Sequence, residues 1–453
     1  MLHSLKVRRW GLVWFGLVTV LAAVAAGQSA EELEAAGLDE PPAPEVSRAP
    51  VGPPRGPAAM SVTVVAQDGD SPSGVPGAVS SLSSPFTNSL GQVGFSGNAS
   101  ENFIWIDTGV AWSNDDAMSN TLSGAESTIG IGDMGQFIYS PSVDGSDSVW
   151  TQDGLLETED TQAPDFPAGT NSTFHSRPTM LPDGTAHWIA GFNDGAGGTS
   201  TVGRMVYRSV GGTTTVVLRS DDLVGGLAID RPSGVGFDYD FSDDGSHHIH
   251  ELLLDTGGTT DDGIVYVDGA IVARETEATG DGDNWDNFDA MSINNAGNYL
   301  FSGDSDGATT SDEFLAYNAS IALREGDVVD GVTLGTTVSA LSINNLGQAA
   351  FIWNDDGGDE QLFVAPDAAD LSGTAVLLLA VGDAVDTTGD MVADATVTDF
   401  NASAQIAPGL DLATDNVVYV EVDLDFGSGD VEAVIAIDAT GQIPVELQSF
   451  AIE

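Results

Sequence analysis

Seven copies of a turn-plus-strand word, hydrophobic runs of only four to six residues, and no long 3.6-period apolar stripe beyond residue 26 predict an all-β chain. The word recurs about every 50 residues, and each unit holds three or four short antiparallel strands, which describes a β-propeller of seven blades. Six or eight blades are the neighbouring solutions. A solenoid coil needs a much shorter period, and tandem sandwiches need one of about 100 residues.

The elements follow in chain order. Lys6, Arg8 and Arg9 precede an apolar or small-residue run from Trp10 to Ala26, and Ala23-Val24-Ala25 offers small residues at cleavage spacing. Residues 1–27 therefore read as an export signal; the run is short for an uncleaved anchor. No Cys follows it, so lipoprotein anchoring is excluded. Residues 28–60 read as a disordered tether: Glu31, Glu32 and Glu34 open it, and Pro41, Pro42, Pro44, Pro50, Pro53, Pro54 and Pro57 follow among Ala and Gly.

Residues 61–453 form the repeat domain. Its first stretch, Val62–Asp70 (VTVVAQDGD), resembles an isolated third strand of a unit with its polar end and is expected to close the ring against the final unit. The clearest words are SINNAGNYLF (292–301), SINNLGQAAF (342–351) and NSLGQVGF (88–95). Weaker copies place the turn residue at Gly135, Gly184, Gly245 and Asp415. Four residues later stands a large side chain each time: Phe95, Tyr139, Trp188, Ile249, Phe301, Phe351 and Tyr419. A polar residue next to Gly suits a tight turn, and the large anchor then enters the core. An acidic loop, a second strand such as Ile264–Val267, and a third such as Val216–Leu218 or Ile321–Leu323 complete each unit. Three of these third strands end in Arg219, Arg274 and Arg324, each followed by acidic residues.

The NN-x-G-Q-x-A-F and L-R-E-G-D words resemble a family of uncharacterised bacterial secreted repeat proteins. PVELQSF (444–450) is similar to the closing segment of many secreted bacterial proteins. The resemblance implies fold and compartment, and no activity or catalytic residue.

Charge narrows the partners. The chain carries a net charge of −57, with every Asp and Glu beyond residue 30 and no Lys after Lys6. A phosphate backbone is repelled within a Debye length of about 10 Å, so nucleic acid and anionic lipid are excluded as partners. The absence of Cys removes disulfides and thiol chemistry.

Where chemistry is possible, two groups stand out. The acidic loops suit either a solvated ionic surface or Ca²⁺, which takes carboxylate and carbonyl oxygens. Asp240, Ser242, Asp244, Gly245 and Glu251 follow an EF-type spacing; Asp304, Asp306, Gly307 and Glu313 follow it in part; Asp281, Asp283, Asp286 and Asp289 form a third cluster. His187 and His248 occupy equivalent places in neighbouring units, and His250 shares a strand face with His248. Such imidazoles are either packed side chains or ligands of a transition metal. The Gly303–Gly307 word (GDSDG) mimics a nucleophile elbow, but Asp304 and Asp306 would oppose an oxyanion beside Ser305. Trp112, Trp150, Trp285 and Trp353 either stack on sugars or plug blade interfaces.

The expected function is thus a secreted or cell-surface, monomeric, non-catalytic binding or structural propeller, possible Ca²⁺ included, with a polysaccharide or protein ligand and no membrane span after signal cleavage. The alternative is a secreted polysaccharide hydrolase or lyase with carboxylate chemistry at the channel. An Arg or His lining the channel favours the enzyme; an empty apolar channel favours the binder.

Overall fold

The computed structural model describes residues 60–113, 122–123, 129–196, 199–231, 233–402 and 409–442. The expected signal, the expected tether up to residue 59, the acidic run at 114–116 and the closing PVELQSF lie outside them.

Blade 3 shows the plan. Ser172–Met180, Ala186–Phe192, Gly203–Val210 and Thr213–Arg219 pair in sequence order as an antiparallel meander. Blade 4 runs from Val235–Phe241 through His248–Leu253 and Gly263–Val267 to Ala270–Arg274. Blade 5 uses Trp285–Ile293, Tyr299–Ser305, Glu313–Tyr317 and Ser320–Arg324, and blade 6 uses Val332–Ile343, Ala349–Asp355, Glu360–Ala365 and Val376–Ala380. Blade 1 is built from Phe86–Thr87, Val93–Asn98, Asn102–Ile106 and Gly109–Ser113, and blade 2 from Ile129–Ile131, Phe137–Tyr139, Ser146–Thr151 and Gly154–Thr158. In blade 7 both Ala395–Phe400 and Leu410–Leu412 pair with Val417–Asp425, followed by Asp430–Asp438.

The outermost strand of blade 7 comes from the other end of the domain. Thr63–Gln67 pairs antiparallel with Asp430–Asp438, from Thr63 opposite Ala436 to Gln67 opposite Ala433. The seven-bladed ring is therefore closed as the isolated early strand suggested, and the fold is an all-β propeller.

One part of each blade differs from the sequence reading. The strand read as third is the fourth and outermost. The innermost strand occupies what reads as polar connection. Ser172–Met180 (STFHSRPTM) and Val332–Ile343 carry bulges that interrupt their alternation. Their Ser and Thr side chains further dilute the hydrophobic signal.

The repeated words tie neighbouring blades together. Asn294 and Asn344 each close their own turn by accepting two backbone N–H groups on Oδ1. Each then donates from Nδ2 to the next blade, Asn294 to the Asn344 carbonyl at 3.0 Å and Asn344 to the Ala413 carbonyl at 3.3 Å. Asn88 repeats the arrangement and donates to the Gly132 carbonyl at 3.2 Å. The Gly after each of these Asn residues takes a positive φ of 73–77° (Gly91, Gly297, Gly347). In the last unit Asn416, not Asp415, adopts it, at 67°.

Behind these turns, Phe95, Tyr139, Trp188, Ile249, Phe301 and Phe351 are fully buried. Tyr419 is partly buried and donates its hydroxyl to the Gly91 carbonyl. Trp112, Trp150, Trp285 and Trp353 are also buried, so they fill the core and offer no sugar-stacking platform.

Candidate functional site in the axial channel and the acidic face

The innermost strands surround a channel holding a cavity of ≈190 Å³. Its wall includes Arg177, Asp238, Tyr239, Asp240, Asp243 and Asp411. The channel is polar, and each charged group on it already holds another blade. Asp240 accepts from the Ile293 amide of blade 5 at 2.9 Å and from the Phe241 amide at 2.8 Å. Asp411 accepts from the Thr87 amide (2.7 Å) and hydroxyl (3.0 Å) of blade 1, and from the Ser342 hydroxyl (3.0 Å) of blade 6. Asp243 reaches past blade 5 to accept from Asn345 Nδ2 at 2.6 Å.

Arg177 sits at a bulge with a positive φ of 51° and donates to Asp238 at 3.0 Å, joining blades 3 and 4. The Tyr239 hydroxyl donates to the Arg177 carbonyl across the same seam. Burial pushes the Asp240 carboxyl up to about 7, against the pull of the Ile293 and Phe241 amides. Burial and then the facing Asp411 push Asp243 up to about 6. Burial raises Asp411 as well. None of Arg177, Asp238, Asp243 and Asp411 stands out in sequence. Only the scarcity of arginine marks Arg177, and its partner Asp238 lies in the next blade.

The turns between second and third strands fall on one face of an up-and-down ring, and they carry Asp194, Asp261, Asp306, Asp355 and Asp425. Many of these carboxylates close their own turns. Asp355 Oδ1 accepts from the Gly357 and Asp359 amides, and Asp425 Oδ1 from the Gly427 amide. The acidity of this face is thus partly the chemistry of its turns.

Most of the carboxylates expected as Ca²⁺ ligands have protein partners of their own. Asp240 faces the channel, Asp244 Oδ1 takes the Ser242 hydroxyl and the Ser246 amide and hydroxyl, and Glu251 lies in the following strand near Arg204. The EF-type stretch is folded as an antiparallel hairpin, with Asp240 opposite Ile249 and its carboxylate taken by the Ile293 and Phe241 amides. Asp306 is held by the Asn284 amide and side chain at 2.7 and 2.8 Å. Glu313, the cross-strand neighbour of Asp304, is buried and accepts from the Val338 amide of blade 6 at 3.0 Å. Asp281 and Asp283 receive Arg324 at 3.0 and 2.9 Å, so that cluster has an internal cation.

The histidines come together as their equivalence implied, but around an aromatic ring. His187 stacks on Phe241, which also meets His248 and His250. Among the described residues no group of three or more His, Asp or Glu is placed to hold a metal ion, and no helix is long and apolar enough to cross a membrane.

Ring, closure strand and polar channel define the class: a seven-bladed β-propeller. The chain belongs to a family of unknown function (DUF7453), whose model matches residues 131–406, more than half of its length. No curated protein matches it. Among solved structures it is similar to a protein of unknown function from Bacteroides caccae, at 16% identity and TM-score 0.31, covering 62% of this chain and 89% of that one. It is also similar to TolB from Acinetobacter baumannii (9% identity, TM-score 0.31, 78% of each chain). A third is Drosophila Semaphorin 1a, extracellular domains 1–2 (7% identity, TM-score 0.37, 83% and 88%). These scores are low, and the fold assignment rests on the blades themselves.

Proposed function

We propose that this protein is an exported, non-catalytic propeller that binds an extracellular polysaccharide or protein, using the acidic face of a rigid disc. The observation that supports this most is the engagement of the channel groups. Asp240, Asp243, Asp411 and Arg177 are all hydrogen-bonded to neighbouring blades, so none is presented as a free acid, base or nucleophile. Calorimetry of the purified domain against a panel of marine and cell-wall polysaccharides, with reducing-end and unsaturated-product assays on the same samples, tests it. Binding without product is expected; release of product overturns the proposal.

A second reading has one observation behind it. An Arg does line the channel, and beside it Asp240 and Asp243, raised to about 7 and about 6, are carboxyls able to donate a proton near neutral pH. A hydrolase or lyase built this way loses its activity in D240N and keeps its fold.

A further inference from the structure

Three residues after the turn residue, four blades carry Ile138, Leu300, Ala350 and Val418, all buried. Blades 3 and 4 carry His187 and His248 there instead. Two residues further on, Ile189, Ile352 and Val420 are buried in three blades, whereas blade 4 has His250. Imidazoles therefore replace aliphatic packing at one seam of the ring.

The side chains meet around one ring. His187, 2% exposed, stacks on Phe241 of blade 4 with centroids 3.8 Å apart and planes 15° from parallel. Phe241 meets His250 edge-on at 5.5 Å, and His248 and His250 stand 5.0 Å apart. Tyr239 stacks on His250, and Tyr266 packs against His248. Nδ1 of His187, Nδ1 of His248 and both ring nitrogens of His250 have no hydrogen-bond partner among the described residues.

The surroundings favour neutral rings. Burial holds His187 down to about 3, helped by Arg208 on the adjacent strand and opposed by Asp183. Burial keeps His250 well below its ordinary range, aided by His248 and His187. It lowers His248 too, against the pull of Asp268, which also pairs with His247 at 2.6 Å. Across the seam, the Arg177–Asp238 pair and the Tyr239 hydroxyl are engaged with each other's blades. Asp240 points away, to the blade 5 amide of Ile293.

We propose that the seam between blades 3 and 4 is an acid-opened latch: protonation of His187, His248 and His250 around Phe241 parts these two blades while the other seams stay closed. An imidazolium gains full hydration only when the seam opens, so each proton favours the open form. Arg177, Tyr239 and Phe241 also line the channel, so an open seam admits solvent to the channel from the side. The latch does not depend on the binding function.

Peptide-resolved hydrogen–deuterium exchange of the whole domain, with EDTA present and correction for intrinsic rates, tests it. For His187 alone, a ring at about 3 when closed and 6.5 when open raises the opening equilibrium about 25-fold between pH 7 and pH 5. Peptides covering Ala186–Phe192, Val235–Phe241 and His248–Leu253 should gain at least that much exchange. Those covering Trp285–Ile293 and Val332–Ile343 should not. The H187L/H248L/H250I variant, which installs aliphatic side chains of the kind several other blades carry at these places, should lose the response. If that variant does not fold, H187L must still reduce the response. Acid-induced exchange spread evenly over all blades, or unchanged in the variants, overturns the latch.

Discussion

Asp411 offers the sharpest test of how the ring is held. Its carboxylate joins three blades, through the Thr87 amide and hydroxyl on one side and the Ser342 hydroxyl on the other. Removing it in D411A deletes three hydrogen bonds and leaves the Thr87 amide in a partly buried place without its acceptor. Hydrogen bonds to charged groups contribute about 1.5–3 kcal/mol each; with local relaxation and water entry, a loss of about 2–4 kcal/mol in all is expected. D411N should behave differently. An amide can accept from Thr87 through oxygen and donate to the Ser342 hydroxyl through nitrogen. Burial already disfavours the ionised carboxyl, so removing the charge carries little penalty. D411N should therefore lie within about 1 kcal/mol of the wild type near neutral pH. Equilibrium urea unfolding, followed by tryptophan fluorescence, measures both variants. A D411A stability within about 0.5 kcal/mol of the wild type refutes the idea that this carboxylate holds the blades together.

Three further outcomes are expected. A Cβ at Gly130 would stand 2.1 Å from the Met180 amide nitrogen of the next inner strand, so G130A should lose about 1–3 kcal/mol in urea unfolding, while G109A, with open space around it, should change little; equal effects would contradict this packing. Burial and the neighbouring Glu432 push Glu421 from its ordinary 4.5 up to about 9, so the stability carried by its neutral form is complete below pH 4.5 and is lost as pH rises towards 9. E421Q should flatten that decline, by up to about 1.4 kcal/mol per pH unit, and parallel stability–pH curves for the two proteins would count against it. EDTA should shift the melting temperature by less than about 1 °C, and a larger rise on adding Ca²⁺ would restore the acidic loops as ion sites.

The turns were legible and the ties between blades were not. The NN-x-G words announce themselves because Asn and Gly at a turn have local causes, which need no knowledge of the rest of the chain. The closure strand could be read for a similar reason: VTVVAQ has the pattern of a blade's last strand without the blade. Asp281 and Asp283 looked like ion ligands because spacing can register a cluster of acids. It cannot register that Arg324, more than 40 residues on, folds back between them. His187 and His248 could be recognised as equivalent by counting from the turn glycine. That the ring of Phe241 stands against both depended on which inner strand lies beside which blade. Arg177 and Asp238 were missed for the same reason, as neither is near the other or near a repeated word.

The pairing of Thr63–Gln67 with Asp430–Asp438 also orders events in time. The first strand of the ring must wait, unpartnered, until the last has been made and delivered. A chain cut before Asp430 keeps two bare strand edges that nothing in the remaining sequence can cover, and such edges pair readily with other chains. Completion of the circle therefore requires both ends of the domain, and a copy that lacks the last strand leaves its closure strand's edge bare.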